Sequence, residues 1–541
     1  MNGIILSRVF FILTLISIVG QFANAAELYL AKNESTNKYI VVLKDEKNNY
    51  QNIMSQYAGL SRVEKATLMS YEYGLNMKRV YNSVINGFVV EGGLNAIKSL
   101  SNNQEIEYIE QVSVSSIDAT QSNAVWNLDR IDQRTNYLNG KYTYDRTGQG
   151  VNAYIIDTGI RTSHTEFEGR ARTGWDFINN SVGDGTDCHG HGTHVAGIVG
   201  GKTYGVAKSV TLISLRIGTC EGKLATDDII AALDWVIDNG EKPGVVNMSI
   251  RANPSIAVDT AVKNTTNAGF TVVVSAGNDS KDACTQSPAR ANEAITVGAT
   301  DSDDRRASFS NYGKCVDVWA PGVDVTSAFA TSDTDTATRS GTSMAAPHVT
   351  GIAALYFEGA TNASASAVID NIMGKVTYGM VSDTVTADTP NLLAYSKGTS
   401  NTYSAIHQYY HDGVKNHFYT KNWSELQSAS STGWVYQGVL GYAYRKIISN
   451  TNALYRYYHP DVKNHFYTIN YGELGEGHSG WIYEGIAAYL PKSGNTKNIF
   501  RYYNSEDHDH YYTTDWNELG GGNSDWQYEG IEGKVFAGPQ D

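Results

Sequence analysis

The sequence predicts an α/β protein built on a parallel sheet, with a small α+β segment before the sheet and a β-rich repeat after it. Three observations carry this. Between residues 119 and 396, short apolar runs (Asn152–Ile156, Val245–Ile250, Thr271–Ser275, Ala294–Val297) alternate with helix-period segments such as Thr226–Asp238. Residues 26–118 hold strand-like runs at Tyr39–Lys44 and Gly87–Glu91, with helical periodicity over about Tyr50–Tyr73 and at Leu94–Leu100. From residue 404 onward one aromatic pattern recurs three times.

In chain order, the first element is an address. Arg8, an apolar run from Val9 to Val19 and the small-residue site Ala23-Asn24-Ala25 read as a secretory signal over 1–25. The run is short for a membrane span of roughly 20 residues, and no later segment qualifies. Residues 26–118 form the cysteine-free α+β unit, 119–396 the α/β domain and 397–403 a polar linker. In the tail, 404–541, His417-Phe418-Tyr419-Thr420, His465-Phe466-Tyr467-Thr468 and His510-Tyr511-Tyr512-Thr513 are followed by Trp434, Trp481 and Trp526. The histidines stand 48 and 45 residues apart and the tryptophans 47 and 45, which marks three units. Nineteen of the 36 tyrosines lie in the last 141 residues. Aromatic runs broken by Gly and Asn predict strands.

Composition narrows the function classes. A net charge of −14, with no run of Lys or Arg, argues against nucleic-acid binding. With 41% hydrophobic and 18% charged residues the chain is not mainly disordered. The four cysteines, Cys188, Cys220, Cys284 and Cys315, all fall in the α/β domain. An even count in an exported chain favours two disulfides, and three connectivities are open.

Three motifs carry chemistry. Asp157 ends an apolar strand and begins Asp157-Thr158-Gly159, at the carboxyl edge of the sheet where sites assemble. The aspartic-protease reading of that tripeptide fails, because no second copy exists to share a proton. His189-Gly190-His191-Gly192-Thr193-His194 reads as a general base at a helix start, or as a zinc cluster that lacks a completing ligand. Ser340-Gly341-Thr342-Ser343-Met344-Ala345-Ala346-Pro347 places a serine at a helix start, where unpaired N–H groups suit an oxyanion.

The order Asp, His, Ser, together with these three motifs, resembles the subtilases, and closely the secreted proteinase K/aqualysin group, over residues ~36–396. The resemblance implies a subtilisin-like catalytic domain and an inhibitory α+β propeptide (26–118) cut near Asp118/Ala119 by the enzyme itself. It assigns Asp157 to orient the base, His191 to take the proton, Ser343 to attack and Asn278 to hold the oxyanion. Ser249, Ile250 and Arg251 with Ser275, Ala276 and Gly277 would flank the substrate. It pairs Cys188 with Cys220 and Cys284 with Cys315. It implies structural Ca²⁺ at Asn292, Ala294 and Asp317, and a second site at Asp129, Asp132 and Gln133 with Asn139, and no catalytic cofactor. One departure stands out: Arg251-Ala252-Asn253 occupy the place of the family's glycines, and side chains there would narrow the first pocket, shift preference towards small or acidic residues, or weaken cleavage.

The tail resembles the His-Phe-Tyr-Thr/Tyr-Glu-Gly repeats appended to many exported proteins, and its three units suit an all-β, pseudo-threefold, trefoil-like arrangement. Its in-register aromatics read first as core. Exposed Trp and Tyr rings would stack on a glycan or polymer surface, whereas one Asn-His or Asp-His pair per unit reads as a local hydrogen bond rather than a metal site. The leading expectation is a secreted, monomeric serine endopeptidase made as a zymogen, acting on protein substrates and inhibited by its own propeptide. The rivals are a weak or inactive subtilase acting as an adhesion protein, and a metallo-hydrolase built on His189, His191 and His194.

Overall fold

The computed structural model describes residues 25–539 except 31–34, 45–56, 58, 82, 114–118, 184–185, 385, 387, 398–402, 427–431 and 449. The proposed signal and the residues just before the proposed cut therefore lie outside the described residues. The chain divides into two compact units, Met1–Val114 and Ser115–Asp541.

The first unit is a five-stranded sheet with two helices. Strands β1 (Glu27–Tyr29), β2 (Ser35–Leu43), β3 (Asn76–Tyr81), β4 (Gly87–Glu91) and β5 (Ile106–Ser113) lie in the order β1-β5-β2-β4-β3. Helix α1 (Arg62–Glu72) begins at a capping box: the Ser61 hydroxyl accepts the Glu64 N–H, and the Glu64 carboxylate accepts the Ser61 N–H at 2.8 Å. Helix α2 covers Leu94–Leu100. Val41, Phe88, Val90, Ile97 and Ile109 are fully buried between the two layers.

The second unit begins with β6 (Ala119–Ser122), α3 (Trp126–Ile131) and β7 (Lys141–Tyr144), which pairs with β6. The main sheet follows: β8 (Asn152–Asp157), β9 (Ala171–Asp176), β10 (Thr211–Arg216), β11 (Gly244–Met248), β12 (Thr271–Ser275), β13 (Ile295–Thr300) and β14 (Val318–Pro321), all parallel. These strands read as near-continuous apolar runs because helices cover both faces. Ala153 and Ile155 of β8 face α4 (His191–Gly200) and α7 (Thr342–Glu358), while Tyr154 and Ile156 face α5 (Thr226–Asn239) and α6 (Ile256–Asn267). A hairpin, β15 (Val325–Ala328) with β16 (Thr336–Arg339), precedes α7. After it come α8 (Ala365–Lys375) and the short edge strands β17 (Thr377–Tyr378) and β18 (Leu392–Leu393). The sheet runs β9-β10-β8-β11-β12-β13-β14, so the chain leaves β8 for one side and returns on the other. A crevice opens at the carboxyl ends of such strands, and Asp157 ends β8 there.

The tail is mostly β. Three times over, a long strand, a short strand, a short helical turn and a long strand follow one another: β19 (Tyr403–His411), β20 (Asn416–Thr420), β21 (Val435–Tyr444); β22 (Thr451–His459), β23 (Asn464–Thr468), β24 (Ile482–Pro491); β25 (Thr496–Asn504), β26 (Asp509–Thr513), β27 (Gln527–Phe536). Register shifts recur at Ile406/His407, Leu454/Tyr455 and Ile499/Phe500. The tyrosine excess has a structural cause. The Tyr419 hydroxyl accepts the Tyr512 N–H (2.8 Å), Tyr467 accepts from Tyr419 (2.9 Å), and Tyr512 accepts from Tyr467 (2.8 Å), closing a buried ring. The Asn/Asp-His pairs bond between units: Asn416 Nδ2 lies 2.9 Å from His465 Nδ1, and His417 Nδ1 lies 2.6 Å from Asp509 Oδ2.

Candidate active site

Asp157, His191 and Ser343 come from three elements that end at the crevice. Asp157 is 1% exposed, and its Oδ1 accepts the Thr158 N–H at 2.8 Å and lies 2.7 Å from His191 Nδ1. That hydrogen bond fixes the imidazole with Nδ1 towards the acid and Nε2 towards the cleft. Burial of the ring opposes its charged form, but the Asp157 charge and hydrogen bond, with Asp187 beyond, outweigh it and raise the His191 pKa above its ordinary value.

The strand and helix can meet only because residue 192 is glycine. A Cβ there would lie 2.1 Å from the Gly159 carbonyl and 3.1 Å from Asp157 Cβ. Asp187 holds the start of α4: it accepts the Gly190 N–H (2.7 Å), the Thr193 N–H (2.9 Å) and the Thr158 hydroxyl (2.9 Å). The Thr158 oxygen accepts the Gly192 N–H at 2.9 Å. Sequence reasoning assigned no role to Asp187 or Thr158; the available signal was an acidic residue just before a helix start. The Cys188–Cys220 bridge ties this loop to the segment after β10, and Cys284–Cys315 is also formed. Each closes a loop of about 30 residues, a stabilisation of roughly 3–4 kcal/mol in the chain-entropy treatment.

Ser343 lies in the first turn of α7, which is tied to β11. The Ser249 hydroxyl donates to the Ser343 carbonyl (2.9 Å) and accepts from Asn247, whose oxygen accepts the Thr350 hydroxyl (2.8 Å). Ser343 Oγ donates to the Ser249 carbonyl at 3.2 Å; turning that proton to His191 Nε2 is the step that substrate binding completes, since nucleophile–base contacts often form fully only then. Asn278 Oδ1 accepts both the Thr342 N–H and hydroxyl at 2.8 Å. A backbone N–H only donates, so the atom facing it is oxygen and the amide N–H pair is left for the cleft. Gly277, at φ +101°, shapes this turn, and a Cβ there would meet Asn311 Nδ2 at 2.4 Å. Asn311 in turn donates to the Ala276 carbonyl (2.8 Å) and accepts the Asp279 N–H (3.0 Å), a support invisible in local sequence.

One cleft of about 360 Å³ is lined by Asp157, His191, Ser249, Ile250, Arg251, Ser275, Gly277, Asn278 and Ser343, with Glu221, Gly222 and Leu224 on a wall that sequence reasoning missed. Ala276 departs from expectation: its side chain is fully buried among Val316 and Trp319, so only its backbone is left for substrate. Arg251 is 58% exposed and pairs with the Asp279 carboxylate beside Asn278. His194 does not turn to the cleft as a metal ligand. Its Nε2 lies 2.9 Å from the Ala337 carbonyl, and burial drives its pKa down to about 4. Among the described residues no cluster of three His, Cys, Asp or Glu is arranged to hold a metal.

The two cation sets differ. Asp129 spends one oxygen on the Gly140 N–H (2.6 Å) and the other on Gln133 (3.2 Å). Asp132 Oδ2 accepts the Thr143 N–H and pairs with Lys397, but its buried Oδ1 has no partner, so this set keeps one oxygen for a cation. The other set centres on Asp317. Asp317, 4% exposed, accepts the Thr296 N–H at 2.7 Å. Beside it, Ala294 donates its N–H to the Ala291 carbonyl, and Asn292 precedes β13.

Comparison with known proteins agrees with the geometry. Residues 148–399 match the model of the subtilase family, and residues 405–536 match a domain of unknown function, DUF5648. The extracellular serine proteinase of Thermus sp. (strain Rt41A) is 51% identical over 323 residues, 60% of this chain and 78% of that protein. The cuticle-degrading serine protease of Arthrobotrys oligospora is 41% identical over 378 residues, 66% of this chain and 90% of that protein. The crystal structure of a cold adapted subtilisin-like serine proteinase aligns with 51% of this chain and all of its own, at 45% identity and a TM-score of 0.50. The molecule is thus a serine-type endopeptidase with a subtilisin-like α/β domain. The chain belongs to the subtilase family.

Proposed function

We propose that this chain is a secreted, self-processing endopeptidase that cleaves protein substrates through an acyl-enzyme on Ser343. The observation that carries the reading is the 2.7 Å Asp157–His191 contact in the cleft that Ser343 and Asn278 also line. His191 Nε2 takes the Ser343 hydroxyl proton as Oγ attacks the peptide carbonyl. The Ser343 N–H and the Asn278 amide hold the oxyanion. His191 then protonates the leaving amine, and water releases the acyl group by the reverse proton path. In this reading 1–25 is the signal, 26–118 the inhibitory propeptide, 119–396 the peptidase, 397–403 a linker and 404–541 a pseudo-threefold repeat. The separation at Val114/Ser115, and a second unit whose first strand begins at Ala119, support a cut near Asp118/Ala119. Names of relatives such as "extracellular serine proteinase" support export. Among the described residues no helix is long and apolar enough to cross a membrane. The second cation set, Asp129, Asp132 and Gln133, is the one place where we propose structural Ca²⁺.

The test is processing in Ser343→Ala. The parent chain shortens by the mass of 26–118 and hydrolyses peptide p-nitroanilides, and the variant does neither; equal maturation of both would overturn the reading. Arg251 is what favours the rival, a weak subtilase serving adhesion. The paired Arg251–Asp279 bridge instead supports a narrowed first pocket suited to small uncharged side chains. For the tail we propose a neutral glycan as ligand. A cleft of about 440 Å³ between the first two units is lined by His411, Phe418, Trp434, Tyr458, His465 and Glu484. The next pair of units repeats its geometry, with Phe–Trp at 5.7 Å, Phe–His at 4.8 Å and Arg–Glu at 2.9 Å in both. Half-exposed rings beside a carboxylate suit a pyranose. Ser343→Ala protein should bind neutral oligosaccharides on a glycan array and lose binding in the Trp434→Ala/Trp481→Ala double variant; no binding across the array sinks this assignment.

A further inference from the structure

The β15–β16 hairpin bridges the two helices that carry His191 and Ser343. At one end the Ser327 hydroxyl donates to the His194 carbonyl of α4 (2.8 Å), and His194 Nε2 lies 2.9 Å from the Ala337 carbonyl. At the other, β16 ends at Arg339, and Ser340-Gly341 lead directly into α7. The Arg339 guanidinium lies over the Phe329 ring, 4.7 Å from its centre. That ring abuts Gly190, the residue before His191: a Cβ on Gly190 would lie 2.5 Å from two of the ring atoms. Glycine at 190 thus admits an arginine–phenylalanine stack at the start of α4, beside the base.

Arg339 has no anionic partner. Its Nε is buried without a hydrogen bond, and among the described residues no carboxylate pairs with the guanidinium. The acids around the hairpin are engaged elsewhere. Asp324 accepts the Ser340 hydroxyl (3.2 Å), Asp333 accepts Arg161 Nε and the Ser163 hydroxyl (both 2.6 Å), and Asp335 accepts the Thr336 N–H (3.0 Å). A half-buried charge without a counter-charge is unfavourable. The aromatic face holds this one flat, so its planar fork of donors is set in place and open to a ligand.

The position says which part of a ligand it meets. Ser249, Ile250, Arg251, Ser275 and Gly277, at the carboxyl ends of β11 and β12, line the cleft that takes the acyl side of the scissile bond, and no hairpin residue lines it. The hairpin instead borders His191 through α4. Because His191 protonates the leaving amine, the new amino-terminal end departs past the base, where Phe329 and Arg339 stand. We propose that Arg339, laid on Phe329, selects a carboxylate on the leaving fragment: an acidic side chain just after the scissile bond, or the free C-terminus of a short leaving peptide. Arginine is suited to this because its fork matches both oxygens of a carboxylate. The proposal rests on the Ser343 acyl-enzyme reading and adds to it a preference on the side that the first pocket does not touch.

The test uses the mature full chain and peptides identical up to the scissile bond, with products quantified by mass spectrometry. One arm sets Asp against Asn in the first and second positions after the bond. The other sets a free C-terminal acid against its amide on a leaving dipeptide. In one arm or both, kcat/KM should favour the carboxylate roughly 3- to 10-fold, the size expected of a half-exposed, charge-assisted pair. The arm that shows the preference identifies the source of the carboxylate. In Arg339→Gln the ratio should fall to about one, whereas Arg339→Lys, which keeps the charge without the fork, should retain part of it. Raising the salt to about 1 M should shrink the parent's ratio without any substitution, which provides the same reading if Arg339→Gln does not fold. No preference in either arm of the parent, or a preference that Arg339→Gln leaves unchanged, would overturn the proposal and leave the Ser343 reading intact. A parent that cuts none of the peptides and takes up no fluorophosphonate would sink both.

Discussion

Replacing Arg251 with glycine should change what the enzyme cuts far more than how stable it is. The guanidinium is 58% exposed and paired with Asp279 at the cleft wall. An exposed pair of this kind contributes at most about 1 kcal/mol, so unfolding should scarcely shift. Removing the side chain clears the wall beside Ile250 and Ser275, where the family's glycines would leave open backbone. Seating a benzyl group in that space is worth about 1.5–3 kcal/mol relative to leaving it in water. At about 1.4 kcal/mol per decade, kcat/KM for a substrate with Phe before the scissile bond should rise roughly 10- to 150-fold relative to Ala. The assay is the ratio of kcat/KM for two peptide p-nitroanilides differing only in that residue, in the parent and in Arg251→Gly. If the parent already prefers Phe, and the ratio does not move in the variant, Arg251 does not bound the pocket.

The remaining predictions concern the charge relay, the oxyanion and the bridge partner. Because His191 must be neutral to accept a proton and Asp157 raises its pKa, the acid limb of kcat/KM should lie above the free-imidazole value of about 6.5. Asp157→Asn should move that limb to lower pH and reduce kcat by up to about 10⁴-fold; an unmoved limb would contradict the pairing. The same pair stabilises the fold while His191 is protonated, a contribution complete below about pH 6.5 and fading as pH rises through the raised value. Asn278→Ala should lower kcat about 10²–10³-fold with KM little changed, and an equal change in KM would assign the residue to ground-state binding. Asp279→Asn releases Arg251 and should raise cleavage after acidic residues relative to Ala, as read from the same pair-wise kcat/KM ratios.

The candidate site was legible because its residues sit at element ends marked by small residues. Asp157 closes an apolar strand, His191 follows a glycine, and Ser343 opens an apolar helix that Gly341 precedes. The main strands were legible for a related reason: covered on both faces, they read as unbroken apolar runs, and Thr271–Ser275 ends where periodicity places it. Long-range supports were not legible. Asn311 reaches the Asn278 turn from over 30 residues away, and Asp187 acts through backbone donors that carry no signature of their own. The surroundings of the cation sets were not legible either, for a physical reason. Ligands that are backbone carbonyls leave no side-chain trace, and nothing local distinguishes Trp423, which is 2% exposed, from Trp516, which is 42% exposed. The tail therefore reads as a separate module in sequence, whereas its first unit shares the core of the peptidase.

The central claim is that Ser343 is the nucleophile, activated by His191. A fluorophosphonate probe, followed by peptide mapping of the labelled full-length protein, tests this most directly. The account predicts one stoichiometric adduct on the peptide holding Thr342-Ser343-Met344, blocked at acid pH as His191 takes up its proton and absent in Ser343→Ala. Labelling at another residue, or retained peptide hydrolysis in a protein that cannot be labelled at Ser343, would contradict it.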